Sequence, residues 1–482
     1  MKKSLLFILA TFFSFNAFAQ QYEHAWEVYH SGYSAESRGI GYIGILNSTN
    51  DNVAWTIAYD GSGNGDNISE VAYTNDGGVT WTAYDLAQNV LPGIVNPGIG
   101  MVFPIDANTA FIAAFHNTNS IGNGGIWKTT DAGATWTKVS TPTMYSNSTS
   151  FCNLVYFFDN NNGFCQGDPV NGEFEMYYTT NGGTTWIPIP GSQIDNPNSG
   201  EFGYVHGVVA AGNTVWFTTS NGRLYRSTDQ GHNWTAHDTP LNDFGGQNND
   251  SGDVTFKDDN EGWLVRDNGE LYHTTDAGDT WTQMTPTYDW TGDFFGGDIA
   301  YIPGTTNTLV VTEADANKPV FGAAISEDGG QTWTKMIYYN FGGGPWEMLQ
   351  TDGNIQHLDV AFRDADFGLS GGFSHTKDPS DPDDFNQGIF KYVDQADVSV
   401  ADETIQGLSV YPNPADNFVQ VSIENAPLQN IAIFDVTGKE VMNLNLSANN
   451  TKINVSALDN GIYLMKITDA DNNRQAIKLV IK

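Results

Sequence analysis

Six octapeptides of one pattern punctuate the chain: TNDGGVTW (74–81), TTDAGATW (129–136), TTNGGTTW (179–186), STDQGHNW (227–234), TTDAGDTW (274–281) and SEDGGQTW (326–333). Each carries Asp or Asn third, Gly fifth and Trp eighth. The third residues fall at 76, 131, 181, 229, 276 and 328, so the spacings are 55, 50, 48, 47 and 52 residues. A turn-forming signature returning about every 50 residues, within strand-rich sequence, predicts a radial array of small sheets rather than one large sheet or a helical solenoid. The segments between copies agree with this. Before the fifth copy, DVTFKD (253–258), GWLVRD (262–267) and ELYHTT (270–275) read as short strands separated by Asp/Asn/Gly turns, and WTQM (281–284) follows as a fourth.

A seventh unit lacks the octapeptide. HLDVAF (357–362), FGLSGGF (367–373) and GIFKYVD (388–394) supply three strands and stop. AWEVYH (25–30) resembles the segments that follow the octapeptides elsewhere, with Trp26 in the place of the motif tryptophan. It is expected to complete the last blade and close the ring, leaving no open sheet edge. The fold class is therefore all-β: a seven-bladed propeller over residues 20–395, then a linker (396–406). A small β-sandwich over 407–482 follows, where alternating strands are separated by Pro-Asn-Pro, Thr-Gly-Lys and Asp-Asn-Gly turns.

The octapeptides resemble the Asp-box, S/T-x-D-x-G-x-x-W, of BNR-repeat propellers, a group that includes sialidases, sortilin-like receptors, xyloglucanase-type hydrolases and photosystem-assembly-factor-like proteins. The resemblance implies the fold and leaves activity open, because those relatives have unrelated functions. Residues 407–482 resemble the type A sorting domain of the type IX secretion system, an Ig-like sandwich. Tyr411-Pro412-Asn413-Pro414, Phe434-Asp435-Val436-Thr437-Gly438-Lys439 and Gly461-Ile462-Tyr463 stand in the family's order. That resemblance implies export through the outer membrane, with release or surface attachment, and the secretion machinery as a partner.

The motif itself reads as structural. Asp76, Asp131, Asn181, Asp229, Asp276 and Asp328 can accept bonds from turn amides, and the fifth-place glycine permits a positive φ. Six turns on separate blades cannot converge on one substrate. The opposite face carries the long loops and is the expected binding face. There Tyr288, Trp290, Phe294, Phe295, Tyr338, Tyr339, Phe341 and Trp346 concentrate in two connectors, offering flat apolar surfaces to sugar rings. Their alternative role is to cap the last blades. Asp253, Asp298, Glu347 and Asp359 fall at or near the starts of inner strands and are the carboxylates available for acid/base work, which needs two of them about 5–10 Å apart. A sialidase mechanism is disfavoured: the propeller has only Arg38, Arg223, Arg226, Arg266 and Arg363, and the Arg-Ile-Pro signature is absent. His116, His206, His357, His375 and Tyr204 are scattered singles. Asp60, Ser62, Asn64 and Asp66 have the alternating oxygens of a calcium loop, although Val71 replaces the closing glutamate. Asp378, Asp381, Asp383 and Asp384 form a second oxygen-rich loop, so calcium is the one candidate cofactor.

Charge narrows the partners. Asp and Glu total 56 against 20 Lys and Arg, a formal net charge of −36, which opposes nucleic acid and anionic lipid. The leader MKKSLLFILATFFSFNAFAQ has a basic start, an apolar centre and an A-x-A site at 17–19, predicting a signal peptide over 1–19. No cysteine directly follows that site, which argues against a lipoprotein anchor, and no later stretch suits a membrane span. Cys152 and Cys165, the only cysteines, flank a turn in an exported chain. A disulfide and two buried thiols are both open readings. The expectation for function is a secreted or surface-displayed module binding glycan or protein. The alternatives are a glycoside hydrolase-like enzyme using the named carboxylates, or a scaffold without a small-molecule site.

Overall fold

The computed structural model describes residues 24–394 and 405–482, apart from 36–37, 49–50, 62–66, 88–89, 92–96, 117–123, 247–249, 316–317, 319, 341–346, 350–354, 373–387, 406, 424–426, 435–439 and 471–473. Seven antiparallel sheets form a β-propeller, each with its first strand innermost. Those inner strands are Arg38–Ile45, Pro97–Pro104, Cys152–Phe157, Gly203–Ala211, Gly252–Phe256, Ile299–Tyr301 and Asp359–Asp364, for blades 1 to 7 in order. Successive inner strands touch around the whole circle, including the last with the first.

Blade 7 is sewn from both ends of the ring. His24–His30 pairs antiparallel with Gly388–Asp394, setting Trp26 opposite Tyr392. Outside it lies Ile337–Asn340, parallel, with Tyr338 beside Trp26. The same device covers two other blades: Ile194 bridges to Trp234 and Tyr288 pairs with Trp333. In all three the connector from the previous blade runs along the outer edge against the blade's motif tryptophan. This identifies Trp26 as the seventh member of that set by position, although no octapeptide surrounds it.

The octapeptide is one hydrogen-bonded unit. In the second copy Thr129 Oγ1 donates to Asp131 Oδ1 at 2.8 Å and accepts from Gly133 N–H at 2.9 Å. Asp131 also accepts from the Thr135 N–H at 2.8 Å and the Thr135 hydroxyl at 2.6 Å, and Trp136 Nε1 donates to Gly133 O at 3.1 Å. Asn181 shows how the amide substitutes: its Oδ1 still accepts from Thr185 N–H, while its Nδ2 donates to the Thr185 hydroxyl at 2.9 Å. The fifth-place glycine does two things. Its φ is positive (92° at Gly133), and it leaves room for the preceding blade: a Cβ there would lie 2.7 Å from Trp55, and one at Gly183 would lie 2.7 Å from Phe111. The fourth residue is also left-handed, even where it is Ala132, Gln230 or Ala277, which the pattern did not reveal. Gly183→Ala is accordingly expected to cost about 1–3 kcal/mol from strain and overpacking. Asp131→Asn should cost far less, since Asn181 already does that work. Urea unfolding of both variants checks the contrast.

Cys152 and Cys165 are free and fully buried. The strands register Cys152 against Gly167 and Val155 against Cys165, so the two are not paired across the ladder. Burial pushes both thiols up. The C-terminal sheets, one of three strands and one of four, enclose Val419, Val421, Ile431, Ile433, Ile453, Met465, Ile467 and Leu479.

Candidate functional site

The inner strands enclose an axial cavity of about 540 Å³. Its aspartates arise from one local pattern repeated on three consecutive blades: G-D-V-T-F (252–256), G-D-I-A-Y (297–301) and L-D-V-A-F (358–362). Period-2 alternation buries Val254, Ile299 and Val360 between blades. It turns Asp253, Asp298 and Asp359 to the cavity wall.

Each of these aspartates reaches forward to the next blade. Asp253 Oδ2 accepts from Ile299 N–H at 3.3 Å, Asp298 Oδ2 from Val360 N–H at 2.6 Å, and Asp359 Oδ2 from Ile43 N–H at 2.7 Å. They form a relay of inner staples across blades 5, 6, 7 and 1. Burial pushes Asp253 and Asp359 well above the usual carboxylate range, and the charge of Asp298 adds to both. Asp253 and Asp298 converge on one amide, Ile299 N–H, from which Asp298 Oδ1 also accepts at 2.7 Å. Among the described lining residues there is no lysine or arginine.

This geometry corrects one member of the expected catalytic set, Glu347. A glycosidase pair leaves room for substrate or water between its carboxyls, whereas Asp253, Asp298 and Asp359 each hold a backbone amide of the next blade. Glu347 is not axial at all. Its strand, Glu347–Leu349, is the outermost of blade 7, and Asp359 lies on the innermost, at the opposite end of the same sheet. The described strands of this connector, Ile337–Asn340 and Glu347–Leu349, lie on the outer edge of blade 7 rather than over the expected binding face.

The aromatic set is corrected for the same reason. Thr287–Tyr288 pairs with the outer strand of blade 6, and the chain beyond it fills the wedge between blades 5 and 6. Phe294 and Phe295 are buried and cannot present faces to a ligand. Trp290 packs on Phe295 with centroids 4.5 Å apart, and Phe294 meets Trp333 edge-on at 5.3 Å. Tyr288 and Trp290 are half-buried in that cluster. Tyr339 lies in the rim strand beside Glu27, and Phe341 and Trp346 lie outside the described residues. Tyr288, Trp290, Phe294 and Phe295 thus cap blades 5 and 6.

Of the calcium candidates, Asp60 ends a strand with Arg38 Nη1 3.6 Å away. Ser62, Asn64, Asp66 and the 378–384 loop lie outside the described residues. Among the described residues no three His, Cys, Asp or Glu side chains are grouped to hold a metal.

Two groups that the sequence left as scattered singles belong to the cavity wall, Tyr204 and His206. The Tyr204 hydroxyl donates to Asp243 at 2.5 Å, and the His206 ring stacks on Tyr42 with centroids 5.2 Å apart. Desolvation in the channel lowers the His206 pKa to about 4, so the ring is neutral at physiological pH. The signal available was the glycine-bracketed run G-Y-V-H-G (203–207) at a strand start. Near it, Asp168 accepts from Asn153 Nδ2 at 2.8 Å and from Gly203 N–H at 3.3 Å, and burial pushes its carboxyl up to about 6. His357 is structural: it is fully buried between the Tyr338 hydroxyl at 2.8 Å and the Ser370 hydroxyl at 2.6 Å.

Residues 409–482 match the secretion system C-terminal sorting domain. The chain is thereby marked for type IX export to the cell surface or beyond, and no described helix is long and apolar enough to cross a membrane. An endo-acting ulvan lyase of Formosa agariphila is 24% identical over 170 residues, 33% of this chain and 28% of the lyase. A xyloglucanase of Paenibacillus is 26% identical over 176 residues, 32% of this chain and 16% of that enzyme. The chain thus spans under a third of the length of either enzyme. The structure of YCF48 from Cyanidioschyzon merolae superposes with a TM-score of 0.50 at 15% identity, covering 76% of this chain and 98% of that one, a likeness of fold.

Proposed function

We propose that the exported propeller is a binding module for neutral glycans, with the axial cavity as its receptor site. The observation that carries this is the state of the wall. Its carboxyls are occupied as staples to neighbouring blades and two are held toward the protonated form, so they suit hydrogen bonding to sugar hydroxyls. Tyr42, Tyr204, Tyr301 and Phe362 add aromatic surface. The net charge of −36 disfavours polyanionic sugars. The relatives named as a lyase and a xyloglucanase support carbohydrate as the ligand class and also keep the enzyme reading in play.

The test uses xyloglucan, with polygalacturonate as the anionic comparison, followed by calorimetry and by release of reducing ends. Binding of xyloglucan without new reducing ends is the expected result. Tyr42→Ala should weaken it by about tenfold, equivalent to about 1.4 kcal/mol. Sustained release of reducing ends that disappears in Asp298→Asn would instead establish the hydrolase.

A further inference from the structure

The inner strand of blade 4 departs from its six counterparts. Gly203 pairs with Thr219 and Val208 with Phe217, so the four residues Tyr204–Gly207 stand opposite the single residue Thr218. Blades 1, 2 and 3 carry only one-residue bulges, at Gly41, Gly100 and Asn153. The extra backbone of blade 4 goes inward. His206 Nδ1 lies 3.3 Å from Gly100 O on blade 2, and its ring stacks on Tyr42 of blade 1. A Cβ on Gly100 would lie 3.2 Å from Val205. The bulge therefore spans the channel from blade 4 to blades 1 and 2. Among the described residues, blades 2 and 3 contribute nothing to the cavity wall, which comes from blades 1, 4, 5, 6 and 7.

Three features show that this crossing is held in place. Tyr204 is tied to Asp243 and its ring covers Gly245, where a Cβ would lie 2.2 Å away. His206 has φ +47°, a conformation that non-glycine residues adopt at a cost and that persists only where the surroundings impose it. The carbonyl of Gly100 requires a proton on Nδ1, which leaves Nε2 of the neutral ring as an acceptor.

We propose that the Tyr204–Gly207 bulge sets the specificity of the axial site by restricting it to the terminus of a neutral glycan chain. The inference rests on the glycan reading above and deepens it. Because the ring of blades is closed, a polymer cannot enter the channel sideways and must enter by an end. Because the bulge fills the side facing blades 2 and 3, the space left is one-sided. His206 Nε2 then accepts from a hydroxyl of the terminal sugar.

The test is calorimetry of the full chain with intact xyloglucan and with the same mass of xyloglucan partially cleaved to shorter chains. Sites per gram should rise in proportion to chain ends. His206→Gly and His206→Asn both suit a positive φ, so each should unfold within a few degrees of the parent. Both should weaken binding at least fivefold and reduce the preference for the cleaved material. Sites per gram that stay constant would overturn end-on recognition while leaving glycan binding intact. Absence of binding to both preparations would overturn the glycan reading and this inference together. Variants that bind like the parent would remove the bulge from any role in specificity.

Discussion

Trp26→Ala is expected to be among the most damaging single truncations in the propeller, costing about 3–5 kcal/mol. Trp26 is fully buried. Its ring meets Tyr392 edge-on at 5.8 Å, His357 at 5.8 Å and Phe362 at 6.1 Å. It also sits on the strand that joins the two ends of the ring, so a cavity there weakens the closure as well as the local core. Trp281, the corresponding residue of blade 5, is only half-buried and has no connector strand against it among the described pairings, so Trp281→Ala should cost clearly less. Trp26→Phe supplies a second contrast. Five of the six motif tryptophans donate Nε1 to a motif carbonyl, as Trp234 does to Gly231 at 2.8 Å, whereas Trp26 Nε1, like Trp186 Nε1, has no acceptor among the described residues. Phenylalanine removes a buried donor that was never satisfied, so it should recover most of the loss. Urea midpoints and slopes for the four proteins decide this. Equal losses for Trp26→Ala and Trp281→Ala would refute the special weight given to the closing strand.

The second large effect is a fall in stability as pH rises from about 4 to above 6. Asp168 has its folded pKa raised to about 6 by burial, above an unfolded value near 3.9. A raised carboxyl contributes stability that is fully present below the unfolded pKa and lost as pH climbs through the folded one. A shift of about 2 units corresponds to about 3 kcal/mol as an order of magnitude. Asp168→Asn keeps an acceptor for Asn153 and Gly203 without the charge, so it should flatten the profile between pH 4 and 6 and be more stable than the parent at pH 7. Asp253 and Asp359, also raised by burial, contribute with the same sign. The Asp-box carboxylates act with the opposite sign. Hydrogen bonds from Thr135 and Thr280 lower Asp131 and Asp276, so their contribution is present above about 3.9 and disappears in stronger acid. Thermal melts across pH 2–8 should therefore show a maximum in mildly acidic solution. A maximum at or above pH 7 would contradict the assignment of Asp168.

The fold was legible because its rules are local. The octapeptide needs a hydroxyl, a carboxylate, a glycine and an indole at fixed offsets, and Thr129, Asp131, Gly133 and Trp136 satisfy one another within eight residues. Even Trp26 could be placed, because burial at that position demands a large ring whatever surrounds it. The site was legible only in part. Asp253, Asp298 and Asp359 were correctly brought to the axis by their place at strand starts. What they do there depends on the neighbouring blade's amides, which local sequence does not display. Glu347, Phe294 and Phe295 went astray because a connector between blades can cross the binding face or descend the rim with the same composition. The bulge at 204–207 was hidden because it is a mismatch in length between two strands, visible only once Gly203 and Thr219 are known to be partners.

The pairing of His24–His30 with Gly388–Asp394 also orders events in time. The first strand of the ring leaves the ribosome, and would leave an export channel, long before its partner exists. Until then its apolar residues and open ladder must wait without a mate, the circumstance in which β-chains associate wrongly. The closing partner ends at residue 394, and the matched sorting segment begins at 409. The address is thus written only just after the last strand needed to finish the cargo. A chain cut short before blade 7 loses its closure and its destination together, so truncated propellers are not candidates for display outside the cell.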